Sequence, residues 1–392
     1  MDYYEESLKL HEQHHGKLEV TPKVPCENAQ DLSIAYTPGV AQPCLEIQKN
    51  PEDSYRYTDR GNTVAVVTDG TAVLGLGDIG PAAALPVMEG KALLMKRFAG
   101  LDAWPICLDT KDPEEIIRIC KAIAPGIGAI NLEDISAPRC VTIERRLIEE
   151  CPIPVFHDDQ HGTAIVVLAG LINAMKLRRA DPADMKVVVS GCGAAGSSII
   201  RMIYQYGFHR IYAFDLEGCV DADRKEHYNP LKQELLQYVN KDHQHYASLA
   251  DGLKGADIFI GVSAPRLVSK EMVRSMNPQS VVFPMANPES EISYEDARDA
   301  GAWIVGTGRS DHPNQINNLL AFPGLFRGAL DCWATRISES MKIAASRAIA
   351  SLVSDEELST DYIVPSPFDK RVVPAVSAAV QKACRESGYY RK

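Results

Sequence analysis

The stretch that decides the fold of this 392-residue chain lies at residues 186–196 and reads Lys186-Val187-Val188-Val189-Ser190-Gly191-Cys192-Gly193-Ala194-Ala195-Gly196. Its β-branched run predicts a buried strand, its glycines predict a tight turn, and residues 197–206 predict a helix. A second predicted strand, 209–215, ends in Asp215, which is 19 residues after Gly196. This is the spacing found in dinucleotide-binding folds. Together these elements predict a Rossmann-type, doubly wound α/β sheet.

The same stretch predicts a nucleotide site. Backbone N–H groups of Gly191, Gly193, Ala194, Ala195 and Gly196, at the start of a helix, suit a pyrophosphate. Asp215 can accept hydrogen bonds from both ribose hydroxyls, and its carboxylate repels a 2′-phosphate. Residues 216–218 include no Lys or Arg, so NAD is favoured. Arg224 and Lys225 are near enough in sequence to leave NADP as an alternative.

Further strands are predicted to continue this sheet at 256–261, 280–283 and 302–306. Small or amide residues follow these strands, as expected beside a flat cofactor. We predict that two of them, Ser263 and Asn287, contact the cofactor. Asn287 and the cluster at 314–318, which contains Asn318, also offer neutral donors for a substrate carboxylate. Asn is equally a common turn residue.

Two acidic pairs mark the first part of the chain. Glu133-Asp134 follows a predicted strand at 127–132, and Asp158-Asp159 follows another at 154–157. If these strands are parallel neighbours, their carboxyl ends converge and the carboxylates share one pocket. Such an all-oxygen site suits Mg²⁺ or Mn²⁺. The alternative is that Asp158 or Asp159 only caps the helix that follows.

Two further side chains are candidates for chemistry. Lys91 lies in the first turn of a helix predicted at 88–98, where a cation opposes the helix dipole, and this unfavourable placement points to a function. Tyr36 precedes Thr37-Pro38-Gly39, a turn signal, and is expected at the edge of an element. Amphipathic packing is the alternative for a single Tyr.

Composition excludes several classes of protein. The net charge of −11, with no run of Lys or Arg, argues against nucleic acid as a partner. Nothing resembles a targeting sequence or a membrane span, and the ten cysteines show no paired spacing, so we expect a cytoplasmic protein. We predict two α/β domains, 1–160 for substrate and metal and 161–392 for the nucleotide, while a polar break at 178–184 also resembles a boundary.

Over essentially its whole length the chain resembles the malic enzyme family in its short bacterial form. The resemblance rests on the motifs at 33–38, 67–70, 74–78, 89–91, 131–134, 156–164, 317–318 and 322–324. It implies oxidative decarboxylation of L-malate to pyruvate and CO₂, with NAD or NADP and Mg²⁺ or Mn²⁺. A malolactic-type or oxaloacetate-decarboxylating activity is a second interpretation, and a nucleotide-binding sensor without catalysis is a third.

By motif position, the resemblance also implies roles for individual residues. Metal ligation is implied for Glu133, Asp134 and Asp159. Lys91 matches the general base, supported by Asp158, and Tyr36 matches the general acid. Substrate contacts are implied for Lys91, Asn287 and Asn318. Longer relatives carry an Arg where this chain has Ala72, which leaves the group that binds the C1 carboxylate open. A homodimer is implied, with Tyr36 and Lys91 reaching each pocket from different subunits.

Overall fold

The computed structural model describes residues 2–391. Its strands, numbered in chain order, are β1 (Thr63–Thr68), β2 (Asp102–Cys107), β3 (Ala129–Leu132), β4 (Val155–His157), β5 (Lys186–Ser190), β6 (Arg210–Asp215), β7 (Gly218–Cys219), β8 (Ile258–Gly261), β9 (Val281–Pro284) and β10 (Ile304–Val305). Its α-helices are α1 (Tyr3–His14), α2 (Ala29–Ala35), α3 (Ala41–Lys49), α4 (Ser54–Tyr57), α5 (Pro81–Ala99), α6 (Pro113–Ile123), α7 (Arg139–Glu150), α8 (Asp158–Arg178), α9 (Ala194–Tyr206), α10 (Pro230–Leu235), α11 (Leu249–Leu253), α12 (Lys270–Arg274), α13 (Tyr294–Asp299), α14 (Phe322–Asp331), α15 (Glu339–Ser351) and α16 (Val372–Ser387).

Two sheets organise these elements, and the predicted α/β fold class is confirmed. The first has the order β2-β1-β3-β4, and all of its strands are parallel. The second has the order β10-β9-β8-β5-β6-β7, parallel except for the short edge strand β7. The order of the second sheet reverses at β5, as in a doubly wound Rossmann fold. The crevice for a ligand therefore lies at the carboxyl ends of β5 and β8.

Helix α8 joins the two halves of the molecule. Residues 164–171 of this helix are buried around its whole circumference, because it is packed between the first sheet and the helices of the second. One apolar core consequently includes Phe156 of the first sheet and Val187 of the second. The predicted division at residue 160 falls in the first turn of α8, and the location of the domain boundary stays a prediction.

The predicted start of the helix that carries Lys91 is wrong. Helix α5 begins at Pro81, directly after Gly80 with φ +82°, and continues through Pro86. Pro suits the first position of a helix, where its missing N–H is not needed. Lys91 therefore lies in the middle of α5, and the helix dipole does not explain its placement.

The N-terminal helices differ from the rest of the fold. Helices α1, α2 and α3 contain no buried residue, and Leu32, Ile34, Tyr36 and Leu45 are largely exposed. Within residues 2–391, no helix is both long and apolar enough to cross a membrane. The ten cysteines are unpaired.

Candidate active site

The two predicted acidic pairs come together. Strands β3 and β4 are parallel neighbours, with Leu132 beside His157, so the residues that follow them lie at one edge of the sheet. Carboxylate oxygens of Glu133, Asp134 and Asp159 all lie within 4.8 Å of one another. The Asp134 N–H also donates to Asp159 Oδ2 at 2.8 Å.

Burial makes this concentration of negative charge costly. It raises the pKa of Asp134 to about 7, with the Asp159 charge adding to the effect. Burial also raises the pKa of Glu133, against the opposing influence of Lys91. Asp134 Oδ2 is buried without a hydrogen-bond partner among the described residues. Three crowded carboxylates with a free oxygen fit a hard divalent cation, so the donor set agrees with Mg²⁺ or Mn²⁺.

Lys91 lies against the same cluster. Its Nζ is 2.7 Å from Asp158 Oδ2 and 2.8 Å from Glu133 Oε1, and it lies 4.4 Å from the centroid of the Phe322 ring. Burial alone would lower the pKa of Lys91. The carboxylates of Asp158, Glu133 and Asp159 outweigh burial and raise that pKa above its ordinary value. In this arrangement Lys91 is an ammonium held by two carboxylates.

Asp158 is held in place from three sides. It is fully buried, it pairs with Lys91, and Asn318 Nδ2 donates to its Oδ2 at 2.5 Å. The third neighbour is Gly162, where an added Cβ would lie 2.0 Å from Asp158 Oδ1. The N-cap of α8 is His157, without a side-chain cap bond, so Asp158 and Asp159 do not act as the N-cap.

The nucleotide turn also has the predicted geometry. Gly191 has φ +107°, and a Cβ on Gly196 would lie 1.8 Å from the Gly191 carbonyl oxygen, so both positions require glycine. Helix α9 begins at Ala194, and its N-cap Gly193 has no capping side chain. The first N–H groups of α9 are therefore free of any side-chain cap and suit a pyrophosphate.

The two halves also meet where the loop after β1 reaches the loop after β9. A Cβ on Gly75 would lie 2.4 Å from Pro288 Cδ and 3.0 Å from the Asn287 carbonyl oxygen. The glycine-rich loop after β1 therefore touches the loop after β9. The same loop also contacts the carboxylate cluster, since the Ala72 N–H donates to the Asp134 carbonyl oxygen at 2.9 Å.

Comparison with known proteins identifies the family to which this chain belongs. The family model "Malic enzyme, N-terminal domain" matches residues 15–148, and "Malic enzyme, NAD binding domain" matches residues 160–385. The chain belongs to the malic enzyme family. The predictions of a malic enzyme and of a Rossmann-type NAD-binding half are therefore confirmed.

Individual malic enzymes agree over nearly the whole chain. The chain is 56% identical to the "Bifunctional malic/malolactic enzyme" of Bacillus subtilis (strain 168), over 100% of this chain and 95% of that protein. It is 55% identical to the "NAD-dependent malic enzyme" of Geobacillus stearothermophilus, over 96% of this chain and 78% of that protein. The crystal structure of malic enzyme from Pyrococcus horikoshii superposes with a TM-score of 0.95 at 46% identity, covering 99% of this chain and 92% of that one.

One predicted residue lies apart from the others. Tyr36 is the C-cap residue of α2 and is 66% exposed. Its side chain forms no hydrogen bond within residues 2–391. The structure of a single chain brings Lys91, Asp158 and Asn318 together with the carboxylate cluster, but does not add Tyr36 to them. The role of Tyr36 as a general acid stays a prediction.

The cation that faces Asp215 is neither of the two candidates noted in the sequence, Arg224 and Lys225. Lys232 Nζ, from α10, lies 2.5 Å from Asp215 Oδ2. Arg224 points elsewhere and donates to the carbonyl oxygens of Glu217 and Cys219. Lys232 is 17 positions beyond Asp215, and only the return of the chain at α10 brings it there. No local sequence signal marks it.

Sequence reasoning also missed the supports behind the site. Asn131 Nδ2 donates to Glu133 Oε2 at 2.7 Å, from a position in β3 that is two residues before Glu133. His161 lies between Glu144 Oε2, 2.9 Å from Nε2, and Lys342 Nζ, 3.1 Å from Nδ1. Because an ammonium only donates, Nδ1 accepts and Nε2–H donates to Glu144, which assigns a neutral His161.

Proposed function

We propose that this protein catalyses oxidative decarboxylation of L-malate to pyruvate and CO₂, with reduction of NAD⁺ and dependence on a divalent metal ion. The observation that carries the proposal is the buried contact of Lys91 with Asp158 and Glu133 beside the carboxylate cluster. A lysine held among these carboxylates can take a hydroxyl proton during hydride transfer once its amine is neutral.

The chain's own residues have separate roles in this proposal. Glu133, Asp134 and Asp159 would hold Mg²⁺ or Mn²⁺, and a bound ion would supply Lewis-acid chemistry that makes a nearby hydroxyl more acidic. Lys91 takes the proton of the substrate's C2 hydroxyl. Its amine must be neutral for that step, and neutralising the nearby carboxylates by metal ligation reduces the influence that now raises its pKa. Asp158 orients Lys91.

Substrate contacts are proposed for two amides and for Lys91. Asn287, after β9, and Asn318, beside Asp158, offer neutral donors to the malate carboxylates. Ala72 has no side-chain donor, and its own N–H is used by the Asp134 carbonyl oxygen at 2.9 Å. Recognition of the C1 carboxylate is therefore assigned to these amides.

For the cofactor, we propose NAD with NADP as a second choice. Asp215 remains placed to accept from the ribose hydroxyls, which favours NAD. Lys232 offsets part of the repulsion that Asp215 exerts on a 2′-phosphate. The pair therefore supports a preference for NAD that does not exclude NADP.

We propose a homodimer in which Tyr36 completes the pocket of the partner subunit as the acid that protonates C3. The support is the unburied apolar surface of α2 and α3, which includes Leu32, Ile34 and Leu45. Mixing Tyr36→Phe and Lys91→Ala proteins tests this arrangement. After free exchange of subunits, the equimolar mixture should regain about a quarter of wild-type activity, because about half of its dimers are hybrids and one of the two pockets in each hybrid has both residues intact. If each subunit uses its own Tyr36, no activity returns.

The reaction itself is tested by absorbance at 340 nm with L-malate, Mn²⁺ and either NAD or NADP, followed by quantification of pyruvate, oxaloacetate and lactate. Reduced cofactor matched by pyruvate is expected, and oxaloacetate supplied directly should also be decarboxylated. If neither reduced cofactor nor any of the three products forms, the result would support a nucleotide-binding protein without catalysis.

A malolactic activity is the second candidate. The specific observation in its favour is the 56% identity to a relative named bifunctional malic/malolactic enzyme. Both activities would use the same pocket. Lactate formed without net reduction of the cofactor would indicate the malolactic activity rather than oxidative decarboxylation.

A further inference from the structure

The loops beside the nucleotide crevice share one buried acid that the proposed mechanism does not use. Glu291 is 0% exposed. Its Oε1 accepts from the Ser263 N–H at 2.8 Å and from Ser263 Oγ at 3.2 Å, and its Oε2 accepts from the Ala286 N–H at 3.1 Å. One carboxylate therefore ties the loop after β8 to the loop after β9.

The connection extends to the phosphate-binding turn. Ser263 Oγ lies 2.9 Å from Ser190 Oγ, at the end of β5 and directly before Gly191. The carboxyl ends of the adjacent strands β5, β8 and β9 are thus joined through Ser263 and Glu291. The fold makes room for this acid, since a Cβ on Gly261 would lie 2.4 Å from Glu291 Cδ.

A buried carboxylate without a cation is expensive. No Lys, Arg or His within residues 2–391 forms an ion pair with Glu291, and burial raises its pKa, opposed by the N–H donors of Ser263 and Ala286. An apolar side chain would fill the space at lower cost, but it would leave those two N–H groups without an acceptor. What the acid specifically supplies is the position of two loops.

We propose that Glu291 is a positioning residue for the nicotinamide half of the cofactor, acting through the loops that carry Ser263 and Asn287. This inference rests on the nucleotide site proposed above. In a doubly wound fold the β5–α9–β6 unit receives the adenosine half and the strands on the other side of the switch point receive the nicotinamide half. The direct contacts of Glu291 are all on the latter side, and it reaches β5 only indirectly, through Ser263.

The test compares Glu291→Gln with Glu289→Gln, an exposed neighbour whose carboxylate pairs with Arg266 on the surface. The side-chain amide introduced by Glu291→Gln cannot accept from both loops, because one of its two ends is a donor. Calorimetric titration should show the Kd for NAD⁺ raised about tenfold or more in Glu291→Gln. The Kd for ADP should stay at the wild-type value, and Glu289→Gln should leave both unchanged.

The ADP probe separates positioning from general loss of structure. Equal weakening of ADP and NAD⁺ would indicate a merely structural role and would overturn the inference, as would an unchanged Kd for NAD⁺. If Glu291→Gln does not fold, Glu291→Asp keeps the charge while shortening the side chain, and the same comparison applies. A wild-type protein that binds no NAD⁺ would instead refute the proposed function.

Discussion

Lys91 and Asp158 form a buried ion pair in which Nζ lies 2.7 Å from Oδ2, and the same Nζ lies 2.8 Å from Glu133 Oε1. The proposed base thus contacts both its supporting acid and a proposed metal ligand. Changes in any of the three are therefore expected to affect the others.

Replacing Lys91 with Ala should lower kcat by about 10²–10⁴-fold, because the reaction loses its proton acceptor. NAD⁺ binding should persist, since Lys91 is not part of the nucleotide turn. The measurement is malate oxidation at 340 nm together with an NAD⁺ titration. Lys96→Ala, on the exposed side of the same helix, is the matched control. Wild-type malate oxidation in Lys91→Ala would refute the base assignment.

Replacing Asp159 with Ala should weaken Mn²⁺ binding by more than about 100-fold, because one of three clustered carboxylates is removed. Titration followed by the electron paramagnetic resonance of free Mn²⁺ measures this directly. Glu149→Ala removes an exposed acid elsewhere and should bind Mn²⁺ like wild type. Equal Mn²⁺ affinity in both variants would contradict the proposed site.

Removing metal from the wild type with a chelator should abolish turnover.

Gly162→Ala should lower kcat by about 100-fold, because its Cβ would overlap Asp158 Oδ1 and displace the acid that orients Lys91. NAD⁺ binding should change little. Gly126→Ala is the control, since an added Cβ there meets nothing within 4 Å. Steady-state kinetics on both variants measure the effect, and equal kcat values would refute the requirement for glycine at 162.

Lys232→Ala should lower the ratio of kcat/KM for NADP to that for NAD about tenfold, because a charge-assisted contact to the 2′-phosphate is lost. Lys225→Ala, which removes an exposed cation nearby, should leave the ratio unchanged. Asp215→Ala should weaken NAD far more than malate. An unaltered ratio in Lys232→Ala would show that α10 does not contribute to cofactor choice.

Glu144 should make folding stability depend on acid pH. Burial alone would raise its pKa, but the hydrogen bond that His161 donates and the nearby charge of Lys342 lower it to about 2. A depressed carboxyl pKa stabilises the folded state by up to about 3 kcal/mol at pH values above the unfolded pKa of about 4.5. This stabilisation is lost as the pH falls towards 2. Urea unfolding should therefore show a deficit in Glu144→Gln that shrinks between pH 4.5 and 3. A deficit independent of pH would contradict the assignment.

Local pattern was sufficient for the parts of the site that lie close together in sequence. The glycines of 191–196, the strand ending at Asp215 and the acidic pairs after β3 and β4 were all predicted from spacing, because parallel strands place their carboxyl ends together. The prediction for helix α5 is too short at its N-terminus, since the helix begins at Pro81, directly after Gly80, and continues through Pro86.

By itself, then, the sequence determined the two α/β halves, the nucleotide turn, the acidic cluster and the malic enzyme family. Only the tertiary structure decided which polar groups face one another: Lys232 against Asp215, Lys342 against His161, and Glu291 between Ser263 and Ala286. The physical reason is that these contacts join residues from different elements. Periodicity and spacing specify an element and its buried face, but a pairing of charges also depends on how the elements pack, and no local pattern encodes that.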